Sequence, residues 1–184
     1  MPAPPSCFAA LPLVDVARLE ALQADLPPPL RPIHPQDLHL TVAFFGRIDP
    51  GLQPTLQRAV AALDFEGADV ALGAAVVLPD RQRATAFALG LVDGPGRGAV
   101  MSLMREHRDR LRALAGLPAQ DREPLPHITF ARPRGRRRTN EVRDRLLAWA
   151  DALTLDGAPI RLLAPVLMRS RPPGGPGPHY EVVL

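Results

Sequence analysis

Lysine is absent from these 184 residues, and all 22 basic positions are arginine. A GC-rich coding bias accounts for this, and it also fits the abundance of Ala, Leu, Gly and Pro. Guanidinium is nevertheless the better fork for phosphate. The surface therefore suits a nucleic-acid substrate without requiring one. Cysteine occurs once, as Cys7, which excludes an internal disulfide and a zinc site built on thiolates. No HExxH or Cys/His ligand spacing is present, so neither a metal nor a cofactor is expected. No apolar run approaches the roughly 20 residues that span a bilayer, and no membrane contact is expected. The N-terminus lacks the basic region of a secretory signal, which makes the cytoplasm the default location. Aromatics are scarce at 4%, with one Trp and one Tyr. That leaves few stacking platforms for a module that only binds nucleic acid. No Pro/Gly/Ser linker divides the chain, so residues 1–184 read as one domain, and 46% hydrophobic residues give it a core.

Periodicity orders the elements. Ser6 to Leu13 reads as a strand, with Pro12 ending it or at an edge. Val16, Leu19, Leu22 and Leu26 repeat at helical spacing until Pro27–Pro29 stop them. Asp37 to Gly46 reads as a strand, and Asp49-Pro50 opens a helix to about Leu63. Asp69–Leu78 and Arg83–Val92 read as strands joined at Pro79-Asp80-Arg81. Gly94 to Gly98 lacks the ending of a phosphate loop and reads as a turn before a helix. That helix has an apolar stripe of Val100, Leu103, Met104, His107, Leu111 and Leu114, opposed by Arg105, Glu106, Arg108, Asp109 and Arg112. Leu125–Arg132 is a strand. Thr139 or Asn140 caps a helix that buries Val142, Leu146, Trp149 or Ala150, and Leu153. Leu155–Met168 and His179–Leu184 close the chain as strands, with a loop at 171–178. Strands interleaved with helices, with hairpins among them, predict an α+β fold with mostly antiparallel sheets.

Two segments carry candidate chemistry, Leu38-His39-Leu40-Thr41-Val42 and Pro126-His127-Ile128-Thr129-Phe130. Residues two apart on a strand share a face. Each segment thus offers an imidazole and a hydroxyl side by side, with Leu40 and Val42, or Ile128 and Phe130, turned to the core. One such motif usually marks a structural histidine; two in apolar strands with similar flanks point to a site. Histidine titrates near pH 6.5, so two facing rings can supply a general base and a general acid near neutrality. A cyclic phosphodiester needs both, and the Thr41 and Thr129 hydroxyls can donate to its non-bridging oxygens.

On these motifs and their context the chain resembles the two-histidine phosphoesterase superfamily, and within it the RNA 2′,3′-cyclic phosphodiesterase (2′-5′ RNA ligase) family. Phe8-Ala9-Ala10-Leu11 looks like the opening strand. His34-Pro35-Gln36-Asp37-Leu38-His39-Leu40-Thr41 and Pro126–Arg132 look like the two motif segments. Leu167–Ser170 and Tyr180–Val183 look like the closing strands. The resemblance implies a bilobal fold in which two antiparallel sheets form a central groove with helices outside. It implies hydrolysis of RNA 2′,3′-cyclic phosphate ends, tRNA fragments among them, to 2′-phosphomonoesters, with cyclic mononucleotides accepted in vitro by a monomeric enzyme. By motif position His39 is the acid and His127 the base, Arg132 contacts phosphate and Phe44 stacks on a base. Val42 replaces the usual leucine, and His34 stands where an aromatic is common. Phe44 and Arg132 each lie five residues after their histidine, the wrong parity for one face, so they reach the site only if the strands bend, bulge or end.

Other readings remain open. ATP-independent 2′-5′ joining uses the same site in reverse. A non-catalytic RNA-end-binding module, or an enzyme for a small non-RNA cyclic phosphate, belongs to other classes. His107 reads as a core or boundary histidine, His34 as a loop residue near the cleft mouth, and His179 as structural or exposed. The run Arg132, Arg134, Arg136, Arg137, Arg138 is a solvated turn or a grip on RNA phosphates.

Overall fold

Cys7 to Leu11 is an unbroken apolar run, the pattern of a strand covered on both faces. In the computed structural model, which describes residues 4–14, 16–135, 139–155, 157, 159–172 and 177–183, this run is buried within strand β1 (Ser6–Val14). The chain continues as α1 (Ala17–Ala24), β2 (Leu30–Pro32), β3 (His39–Arg47), α2 (Gln53–Ala61), β4 (Gly67–Leu78) and β5 (Ala86–Leu91). It closes with α3 (Pro95–Leu114), β6 (His127–Pro133), α4 (Asn140–Asp151), β7 (Pro159–Leu163), β8 (Val166–Ser170) and β9 (Tyr180–Val182).

The strands form two antiparallel halves, β3-β1-β8-β9 and β2-β6-β5-β4. The fold is α+β, as the periodicity predicts. The halves are not separate sheets, however. β7 pairs with β4 along its length and with the end of β1 at Leu13 and Val14. β3 meets β6 at the single pair Leu40–Ile128. These two seams join everything into one nine-stranded sheet.

Three local readings change. Leu155–Met168 is broken into β7 and β8 at Ala164-Pro165, because proline has no donor for a central ladder. A single 3-10 turn, Pro35–Asp37, replaces the expected start of β3. β2 is new, a short edge strand that tolerates Pro32 at its end.

One apolar cluster runs through both halves, from Cys7 and Leu40 to Phe130 and Leu162. α3 buries Val100, Leu103, Met104 and Leu111 as its stripe requires, while Leu114 is exposed. Arg108, expected on the polar face, is buried instead, and its guanidinium donates to the carbonyls of Gln120 and Arg122 at 2.8 Å each. Gly96, in the first turn of α3, lets the helix approach β4, since a methyl there would collide with the Asp69 carbonyl. The Thr139 hydroxyl caps α4, accepting from Val142 N–H. Trp149 on that helix packs over Phe87 and Phe130 with ring centroids 6.1 Å away in each case. Among the described residues no helix is long and apolar enough to cross a membrane.

Candidate active site

The Leu40–Ile128 pair is fully buried, and its side chains point into the core. Alternation then turns His39, Thr41, His127 and Thr129 to the opposite side. Counting outward from that antiparallel pair sets His39 across from Thr129 and Thr41 across from His127. The two motifs are thus related by an approximate two-fold axis through one residue pair. All four side chains line one cleft of about 450 Å³.

Both motif strands carry a bulge at the same place. Opposite β1, Ala10 pairs with Thr41 and Ala9 with Ala43, leaving Val42 unopposed. Opposite β5, Ala88 pairs with Thr129 and Phe87 with Ala131, leaving Phe130 unopposed. Each bulge buries two consecutive residues, Val42-Ala43 and Phe130-Ala131, and shifts the alternation by one. The parity conflict at Phe44 and Arg132 is resolved this way, and both line the cleft. The bulges are held from outside. The Phe130 carbonyl accepts from Ile33 N–H at 3.0 Å and from the buried Gln23 amide at 2.8 Å. The Phe44 carbonyl accepts from Arg112 at 2.8 Å.

The histidines are oriented alike. Nδ1 of His39 lies 2.6 Å from the Asp37 carbonyl, and Nδ1 of His127 lies 2.7 Å from the Leu125 carbonyl. A carbonyl only accepts, so each Nδ1 carries the proton and each Nε2 is left for the cleft. Burial pushes both imidazoles below their ordinary value, against the hydrogen bonds to the carbonyls; the Arg132 charge pushes both the same way. In the unliganded site desolvation and the arginine charge both work against a proton on either ring.

The LigT-like phosphoesterase family model matches residues 11–87, the half of the site that holds His39. A protein of Aeropyrum pernix named RNA 2′,3′-cyclic phosphodiesterase is 23% identical over 159 residues, covering 85% of this chain and 89% of that one. The chain is thus similar in sequence to LigT-like phosphoesterases. Its fold is shared with a crystal structure from Thermus thermophilus, at TM-score 0.68 and 21% identity over 97% of this chain and 95% of that one. It is also shared with Escherichia coli LigT complexed with 3′-AMP, at TM-score 0.66 and 21% identity over 98% and 96%.

Three further residues shape the site, and none was singled out as a site residue from sequence. Phe8 stacks on the His39 ring with centroids 4.7 Å apart. Tyr180 meets the same ring edge-on at 5.6 Å. Asp37 is almost wholly buried, and its carboxylate accepts from the backbone N–H groups of His179 at 2.7 Å and Tyr180 at 3.0 Å. One residue therefore orients His39 through its carbonyl and seats the start of β9, with Tyr180, through its side chain. The opening-strand resemblance at Phe8 was a usable signal. Nothing local connects Asp37 to residues so distant in sequence.

The remaining candidates fall outside the cleft. His34 Nδ1 accepts from Gln36 N–H at 3.2 Å and caps the 3-10 turn. His107 faces a small cavity between α2 and α3 that shares no residue with the cleft. Gly94–Gly98 is the turn and first residues of α3. Arg136, Arg137 and Arg138 lie outside the described residues. Among the described residues, no three His, Cys, Asp or Glu side chains gather as a metal-ligand set.

Proposed function

We propose that the protein hydrolyses RNA 2′,3′-cyclic phosphate ends to 2′-phosphomonoesters, with residues 1–184 acting as one two-lobed cytoplasmic domain. Both motifs come from one chain, so a monomer suffices. The observation that carries this reading is two imidazole–hydroxyl pairs lining one cleft, with each Nδ1 fixed on a carbonyl.

In this scheme His127 Nε2 takes a proton from a water as its oxygen attacks phosphorus. The bond from phosphorus to the 3′-oxygen breaks, and protonated His39 delivers its proton to that oxygen. The phosphate stays on the 2′-oxygen. Thr41 and Thr129 donate to the non-bridging oxygens, and Arg132 offsets the charge that builds on them. A phosphodiester anion between the rings favours protonation of one imidazole, which offsets the depression seen without ligand. Phe44 is 54% exposed at the cleft, free to stack on the base.

The test is incubation with adenosine 2′,3′-cyclic phosphate, with the product read by phosphorus NMR. The expected product is the 2′-phosphate alone. A 3′-phosphate product, or no turnover, would sink the scheme.

A further inference from the structure

The cleft opens into a second groove of about 280 Å³, and Ile33, Asp37, Arg132 and Tyr180 line both. The outer walls of this groove include Arg31, Arg171 and His179. Arg31 and Arg132 are direct partners across the antiparallel β2–β6 pair. Like charges in that position repel and cost stability, and among the described residues neither guanidinium reaches a carboxylate. On the opposite wall Arg171 shares Glu181 with Arg169, at 3.3 and 2.7 Å. One carboxylate there serves two guanidiniums. Asp37, the acid among the lining residues, already spends its carboxylate on two backbone N–H groups. The groove therefore holds excess positive charge in planar forks, the chemistry that takes a phosphate.

We propose that this groove is a subsite for the phosphodiester on the 5′ side of the terminal nucleotide, held by Arg31 and Arg171 while the cyclic phosphate sits between the histidines. The assignment rests on the hydrolase reading above, because Arg132 is common to both cavities and sets the second phosphate next to the first. It makes the substrate an oligonucleotide end, with a cyclic mononucleotide filling only half of the site.

The test compares the wild-type chain with R31A/R171A on two substrates, adenosine 2′,3′-cyclic phosphate and a diadenylate with a 2′,3′-cyclic end. Arg31 is exposed, and Glu181 keeps Arg169 when Arg171 is removed, so the variant is expected to fold. It should lose about tenfold or more in kcat/KM on the dinucleotide, through KM, which is the size of one charge-assisted contact. Turnover of the mononucleotide should not change. Inhibition gives a second readout. Adenosine 2′,5′-bisphosphate should inhibit the wild type about tenfold better than adenosine 2′-phosphate, and the variant should lose that advantage. Equal losses on both substrates, an unaffected dinucleotide, or no advantage for the bisphosphate would overturn the subsite. If the wild type opens neither cyclic phosphate, the hydrolase reading fails instead. Calorimetric binding of the bisphosphate to wild type and variant then reads the groove alone: weaker binding to the variant supports it, and equal binding rejects it.

Discussion

Replacing Asp37 by Asn keeps the side-chain volume and removes the charge. The native carboxylate accepts two backbone hydrogen bonds, at 2.7 and 3.0 Å, in a nearly dry setting. An amide can accept one of these through its oxygen and must turn its NH₂ toward the other donor. The change loses one charge-assisted bond and strands one buried N–H, for a combined cost of about 2–4 kcal/mol. For a chain of this size, each kcal/mol moves the melting temperature by about 2–4 °C. D37N should therefore melt about 4–16 °C lower. It should also lose activity at temperatures where it is still folded, because the start of β9 is no longer seated and Tyr180 leaves the His39 ring. The assay is thermal unfolding by circular dichroism beside kcat at 20–25 °C. A variant that melts with the wild type would show that the two backbone bonds to Asp37 carry no such stability. One that melts lower yet turns over at the wild-type rate while folded would show that Asp37 supports the fold without bearing on His39.

Three further outcomes are expected. Because burial holds both imidazoles below their ordinary value, kcat/KM of the free enzyme should peak on the acid side of about pH 6.5 and fall on the alkaline side as the acid loses its proton. R132A removes a charge that depresses both rings, so the peak should move to higher pH; a profile flat to pH 8 would contradict the assignment. G96A should destabilise, since its methyl meets the Asp69 carbonyl, whereas G98A, with open space around it, should stabilise α3 by about 1 kcal/mol. Opposite shifts in melting temperature are the check. F44A should weaken KM for a purine cyclic nucleotide by about 1–3 kcal/mol of lost stacking while leaving the melting temperature near wild type, given the exposure of that ring.

The strand alternation of His39/Thr41 and His127/Thr129 was legible because it rests on a local rule, and both pairs face the cleft as that rule requires. The bulges were not legible in the same way. Val42-Ala43 and Phe130-Ala131 look like ordinary strand residues, and only the parity conflict at Phe44 and Arg132 signalled that one residue had to be absorbed. β2 escaped because three residues ending in proline make no periodic pattern. The break between β7 and β8 was written in Pro165, inside what read as one long strand. Arg108 was read onto the polar face because its partners are backbone carbonyls set by the tertiary fold, and a charged residue read from sequence defaults to the surface. The partners of Asp37 are set by the tertiary fold in the same way. The downward push on both histidines was not legible either, because desolvation depends on how deeply the strands pack.

Single alanine replacements of the two imidazoles separate an acid–base pair from two structural histidines. With kcat measured on a 2′,3′-cyclic nucleotide, H39A and H127A should each fall by roughly 10²–10⁴, the worth of one proton transfer. The double variant should be little worse than either single, since the two groups act as a unit. If either single variant turns over at the wild-type rate, the two rings do not work as an acid–base pair.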